Sequence, residues 1–350
     1  MDIYVLDSEY NKIGVIDYCE SIIWTTRYCD SGDFELYLPV TSDAINLLKI
    51  GCGLVRDDKP ESVMIISTIQ ISTDEENGNH IAVSGKSAEG LLERRIVWNQ
   101  TNLSGTLTAC VKQLVLENLI DPSDTNRKID RIQFGDCCDC EIYLTKQITG
   151  DNLLDSVKEI LSAYNFGFKL IFDGKIFSFC IYRGSDKSFA QSANPHVIFS
   201  PKYDNLLTSE YNADISNYKN VALVAGEGEG VQRKYYAVGQ ASGVNRLEIY
   251  VDARDISSET DSGTLSLDQY NQLLASKGVE ALSEALTTQS FAGTVEPTIN
   301  YTFGIDYNLG DIVQITNEYG ISSPARIVEV IESWDENGYS CIPTFDSKEV

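Results

Sequence analysis

Histidine, methionine and positive charge are scarce in this chain. Its 350 residues include two His, two Met and 27 Lys+Arg against 52 Asp+Glu, for a net charge of −25. Each shortage excludes something. With basic residues outnumbered almost two to one, a phosphate-binding surface is disfavoured, because nucleic-acid affinity comes largely from Lys and Arg displacing counterions. Binding to anionic membranes is disfavoured for the same reason. No apolar run approaches membrane length, and the N-terminus, MDIYVLDSEYNKIG, has neither a basic region before an apolar stretch nor a cleavage site. The expectation is a protein made and kept in the cytosol, unless a larger assembly carries it out, with no membrane insertion of its own.

The histidines are His80 and His196, and neither stands near a Ser or Cys elbow, so a nucleophile triad has no support and both read as structural. The nine cysteines are scattered singly apart from Cys137, Cys138 and Cys140. A zinc site needs four ligands, usually from two separated pairs, and no second pair or nearby His exists, so these read as loop or edge-strand thiols without a metal. The others are expected to be free thiols packed as small apolar residues.

What is present is an ordinary globular composition, 43% hydrophobic and 10% aromatic, in a chain long enough for two or three domains. Residues 3–7 and 13–16 read as a hairpin, followed by strands at 21–28 and 33–38, where Phe34, Leu36 and Leu38 alternate with Glu35 and Tyr37. A short helix capped by Thr41 or Ser42 leads to strands at 54–56, 63–72 and 80–85, with a turn at 74–79. These would make a small barrel or sandwich over residues 1–95. The 96–200 stretch reads as helix on sheet. A helix from Thr106 to near Asn118 precedes a polar loop at 121–139, a helix opens at Asp151 or Asn152, and a hairpin turns at Asp173-Gly174.

Residues 201–350 read as a second barrel-like domain with a helical insertion near 265–288. Its centre is 205–256, where strands at 221–225, 235–238 and 246–251 are separated by Gly-rich breaks at 226–230 and 239–243, the pattern of an antiparallel meander. Ser266 and Gln269 form a capping-box pattern before a helix in which Gly278 is a weak point. Strands at 290–295, 299–303, 312–316, 325–334 and 340–344 close the chain. Gly53 to Arg56 followed by 63–71 echoes Gly310 to Gln314 followed by 325–331, which suggests a duplicated unit. The fold class expected is α+β, mainly β.

Two further patterns bear on chemistry. Gly226-Glu227-Gly228-Glu229-Gly230 lacks the Lys-Ser/Thr of a P-loop, no helix follows it, and its carboxylates stand where an anion would bind, so it reads as a strand connection. Glu227, Glu248, Asp252, Arg254 and Asp255 suggest either a paired-carboxylate hydrolase or an ion-pair network, and the latter is the commoner arrangement. No catalytic, cofactor-binding or metal residue is assigned.

From Thr149 onward the chain resembles the hub, or tail-associated, proteins of long-tailed bacteriophages and prophages. The resemblance is carried by TGDNLLDSVKEI with NFGFKLIFDG (149–174), IYRGSDKS (181–188), VIFSPKYDNLLTSEYN (197–212), YKNVALVAGEGEG (218–230), RLEIYVDARDI (246–256) and the stretch 301–333. It implies a homotrimeric ring at the tail tip, made in the bacterial host cytoplasm. Its expected partners are a distal tail protein, a tape-measure protein and receptor-binding or fibre proteins, with DNA passing through without specific binding. Two similar barrels per subunit would give three subunits a pseudo-six-fold face, and an acidic conduit wall would repel DNA. Because the sequence stops at Val350, the hub core alone is expected, with wall-degrading or host-binding activity on another chain. Alternatives from other classes are a cell-wall peptidoglycan hydrolase acting through Glu227 and residues 252–255, and a sugar-binding module using exposed Tyr and Trp.

Overall fold

A computed structural model describes residues 1–74, 78–138, 140–260, 263–285, 288–292, 295 and 300–346. The chain begins with β1 (Ile3–Leu6), β2 (Lys12–Ile16), β3 (Ser21–Arg27), β4 (Asp33–Pro39), α1 (Ser42–Leu47), β5 (Gly53–Arg56), β6 (Val63–Asp74) and β7 (Gly78–Ser87). It continues through β8 (Thr101–Thr106), α2 (Leu107–Val115), β9 (Ile132–Phe134), β10 (Tyr143–Ile148), α3 (Leu153–Ser162), β11 (Gly167–Phe172) and β12 (Phe177–Tyr182). There follow β13 (Ile198–Phe199), β14 (Glu210–Asp214), β15 (Val221–Ala225), β16 (Tyr235–Val238), β17 (Glu248–Asp252), β18 (Glu259–Thr260) and β19 (Gly263–Thr264). The last elements are α4 (Leu267–Glu284), β20 (Thr288–Ala292), β21 (Ile312–Thr316), β22 (Ser322–Asp335) and β23 (Gly338–Asp346).

The fold is α+β and mainly β. Strands from both ends of the chain share one 13-stranded sheet, joined where β22 pairs antiparallel with β3. No closed barrel forms among the described residues. Alternation decides which side chains face the core: on β4, Phe34, Leu36 and Leu38 are buried with Trp24 and Ile22 of β3. The 96–200 stretch packs α2 and α3 on the sheet β11-β12-β9, and its core continues into Val55, Val63 and Leu91 of the preceding segment. Asn152 caps α3 by accepting from Leu154 N at 2.9 Å, and Asp173 holds the β11–β12 turn by accepting from the amides of Lys175 and Ile176.

The strands of 221–252 do not form a meander. Their order is β16-β15-β17, with β17 parallel to β15. The reason lies at Asn220, whose backbone and side chain both bond Leu247: Asn220 N donates to Leu247 O, and Leu247 N donates to Asn220 Oδ1 at 2.9 Å. That sets the start of β17 beside the start of β15, so the two run the same way. On the helix above them Gly278 is a close-packing site rather than a weak point, since a Cβ there would lie 2.5 Å from Val238 Cγ2.

The strands β8, β9 and β10 are too short and polar for the sequence pattern to reveal. Of the expected turn at 74–79, residues 75–77 lie outside the described residues, as do 261–262 of the polar break and Asp139 of the cysteine segment. The helix end at 286 lies outside them as well. So do 293–294 of the strand expected at 290–295 and residue 299 of the one expected at 299–303. Phe303 only bridges Tyr307.

The duplication hinted at in the sequence is visible as topology. The order β3-β4-β7-β6-β5 is matched by β14-β20-β23-β22-β21, every neighbouring pair antiparallel. In both halves the fourth strand of the unit carries a register shift at the same place, between Ile66 and Thr68 on β6 and between Ile327 and Glu329 on β22. Gly51 N donates to Ile66 O and Ile66 N to Cys52 O; likewise Gly310 N donates to Ile327 O and Ile327 N to Asp311 O. Gly51 and Gly310 have φ of 87° and 86°. The equivalence is therefore offset by two residues from the echo read in the sequence, with Gly51 and not Gly53 matching Gly310. The halves differ chiefly in that β15 to β19 and α4 are inserted between β14 and β20.

Candidate functional site

Acidic residues singled out around 227–255 are dispersed into separate ion pairs. Glu227 accepts from Lys234 Nζ at 2.8 Å and from Ser258 N at 3.0 Å. Burial alone would raise its pKa, but the hydrogen bonds from Lys234 and Ser258 outweigh this and hold it at about 2. Asp252 is held at about 2 by Arg254 first, and then by Arg233. Glu248 pairs with Arg246 at 2.5 Å. A general acid must carry a proton near neutrality, and neither Glu227 nor Asp252 does. Arg254 serves Asp252 (2.6 Å), and Asp255 lines a separate cleft between α3 and α4.

That cleft, about 430 Å³, holds the constellation that pattern reading missed. Glu159 from α3 and Glu280 from α4 meet there, joined by Lys146 of β10 and Lys277 of α4. Lys146 Nζ lies 2.5 Å from Glu280 and also bonds Glu159, and Lys277 lies 2.5 Å from Glu280. Burial, followed by the hydrogen bond to Glu280, raises the Glu159 pKa to about 7 against the pull of Lys146. Burial would raise Glu280 too, but the hydrogen bond from Glu159 and the two lysines push it well below the carboxylate range. The carboxyls are thus in hydrogen-bond contact, with ammonium groups across them. A retaining glycosidase keeps its two carboxyls about 5–5.5 Å apart to straddle the bond it cleaves. This cluster instead clamps α3 to α4. No sequence signal pointed to it, because Glu159 and Glu280 are polar positions on two helices far apart in the chain.

The cysteines of 137–140 face different neighbours. Cys137 Sγ accepts from Ile181 N at 3.4 Å, while Cys140 Sγ lies 3.9 Å from Thr108 Oγ1. Among the described residues no set of three His, Cys, Asp or Glu is placed to hold a metal ion. His80 stacks on Tyr37 with ring centroids 4.7 Å apart, and His196 Nε2 bonds Gln191 O at 3.0 Å. The segment 226–230 crosses between β15 and β16, with Tyr270 Oη accepting from Glu227 N.

No curated protein sequence matches the chain. Its fold is similar to that of the tail protein from Neisseria meningitidis MC58, with a TM-score of 0.62 and 13% identity over 98% of this chain and 95% of that one. It is similar to the 43 kDa tail protein of prophage MuSo2 from Shewanella oneidensis, with a TM-score of 0.63 and 15% identity over 99% and 98%. A third likeness is to prophage tail protein gp18 from Listeria monocytogenes EGD-e, with a TM-score of 0.57 and 13% identity over 100% and 96%. Identities this low establish a shared fold. The sequence itself matches a family along residues 2–345, nearly its whole length, and on that match the chain belongs to the Siphovirus ReqiPepy6 Gp37-like proteins, phage proteins with the fold of prophage tail proteins.

Proposed function

We propose that this chain is a non-enzymatic structural hub of the phage tail tip, joining the tail tube to distal receptor-binding parts and forming part of the DNA conduit. The observation that carries this reading is the internal repeat. Two units of one topology in each chain let three copies present six similar faces, so a three-fold ring can sit on a six-fold tube. Its partners on this reading are a distal tail protein, a tape-measure protein in the lumen, and receptor-binding or fibre proteins on the far side. The net charge of −25 suits a conduit, since an acidic wall repels DNA and prevents adhesion during ejection. The dispersal of Glu227, Glu248 and Asp252 into ion pairs supports a role without catalysis.

Imaging of intact tails by electron cryomicroscopy tests the proposal. Three copies around an open channel at the tip, with six repeat units lining one ring, are expected. A chain located elsewhere in the particle, or present in a number that does not match three-fold symmetry, would overturn it.

A further inference from the structure

Within each chain the two repeat units are joined at one specific edge. β22 is long enough to take two partners in succession on the side away from β23: Ser322 to Arg326 pair with β21, and Glu329 to Trp334 pair with β3 of the first unit. Its counterpart β6 pairs with β5 through Val63 to Ile65, and the rest of that edge, from Thr68 onward, meets no described strand. The counterpart of β3 is β14. It ends the sheet, with β20 on one side and no described strand on the other. Each chain therefore carries one used copy of this junction and, at its two ends, the two halves of a second.

We infer that the edge of β6 from Thr68 to Thr73 receives β14 of a neighbouring copy, repeating between chains the β22–β3 junction made within each chain. This rests on the hub reading, because it specifies how its copies join. The register follows from the repeat. Ile66 corresponds to Ile327, so Thr68 to Thr73 correspond to Glu329 to Trp334. Pairing through β4 and β20 likewise sets Tyr211 of β14 where Trp24 of β3 stands. Because Glu332 is opposite Trp24 inside the chain, Ile71 is opposite Tyr211 of the neighbour, with Thr68 opposite Asp214 and Ser72 opposite Glu210.

Three observations favour a second copy as the occupant. The junction continues an interface already built in this fold. An exposed edge strand is a template for main-chain pairing, which tolerates the chain's strong negative charge better than side-chain attraction between two acidic surfaces would. Finally, Ile71, an apolar side chain on the open strand, is 52% exposed and would be covered by the Tyr211 ring. Since each copy offers one β6 edge and one β14 edge, the contact is head-to-tail, the kind that builds a ring when the rotation between copies closes, as the three-fold hub requires.

The test is a cysteine pair, Ile71→Cys with Tyr211→Cys, in the full chain carried in tail particles and analysed by mass spectrometry for linked peptides. A disulfide between position 71 of one copy and 211 of another is expected. It should be absent from the out-of-register pair Thr68→Cys with Tyr211→Cys. The single variant Ile71→Lys, which leaves the β6–β7 ladder intact, is expected to lower incorporation into tails about tenfold. Three copies at the tip without the 71–211 link, or full incorporation of Ile71→Lys, would overturn this junction while leaving the hub reading standing. Absence of the chain from the tip would overturn both.

Discussion

Arg56 and Glu332, 276 residues apart, form a buried ion pair between the two repeat units. The guanidinium is fully buried, donates to Glu332 at 3.0 Å and lies between the rings of Trp24 and Trp334, at 5.6 Å and 4.2 Å. Lys59 at 2.7 Å and the Tyr339 hydroxyl at 3.1 Å complete the shell around Glu332. The pair sits on β5 and β22, beside the β22–β3 junction, so it fixes how the units meet. Removing one partner of a buried pair typically costs about 3–5 kcal/mol, because the other charge stays behind without its counterpart. Arg56→Met is expected to cost the lower end of that range in urea unfolding, because Lys59 at 2.7 Å still neutralises Glu332. Arg56→Met with Glu332→Leu is expected to cost clearly less than the sum of the single changes.

The two equivalent glycines respond differently to the same substitution. Both have φ near +87°, where a side chain costs about 1–2 kcal/mol. A Cβ at Gly51 meets nothing within 4 Å, whereas at Gly310 it lies 2.2 Å from the Tyr28 ring. Gly51→Ala is expected to cost only the backbone strain. Gly310→Ala should exceed it by about 1–3 kcal/mol of overpacking. Thermal unfolding of the two variants under one buffer measures the difference.

The α3–α4 clamp gives stability a pH dependence whose sign follows from Glu159. Its pKa rises from 4.5 unfolded to about 7 folded, so the native state binds more protons between those values. Its contribution is complete below about 4.5 and is lost as pH rises through 7. Glu280, shifted downward, contributes above 4.5 and loses its part only in strong acid. Asp155, Asp255 and Glu284 also line the cleft. Unfolding free energies measured from pH 5 to 8 should fall with pH, most steeply below about 7, and Glu159→Gln should flatten that fall.

Cell-wall digestion distinguishes the structural role from a hydrolase. The intact protein is expected to leave purified peptidoglycan suspensions turbid, and Glu227→Gln and Asp252→Asn are expected to behave identically to it. Clearing by the unmodified chain that disappears in Glu227→Gln would instead establish the hydrolase.

Much of the fold was legible locally. Alternation at Phe34, Leu36 and Leu38, the Asn152 and Ser266 caps, and the Asp173-Gly174 turn each report on contacts within a few residues, so pattern and propensity suffice. The cluster of Glu159, Glu280, Lys146 and Lys277 was invisible because it draws polar residues from three elements with no spacing rule. The strands β8 and β10 were missed because their apolar content is thin, Leu103 on one and Leu144 with Ile148 on the other, although these side chains do reach the core.

By itself the sequence determined the strand-rich composition, the helices and their caps, the acidic charge and the likeness to phage tail proteins, all of which are local or summed properties of residues. Tertiary structure alone decided the rest. It ran β17 parallel to β15 through the Leu247–Asn220 contacts, buried Arg56 against Glu332, and placed two copies of one strand order in a single sheet with one junction used and its counterpart open. These are pairings between distant segments. Their hydrogen bonds depend on which edges the folded chain brings side by side, and residue type alone does not specify that choice.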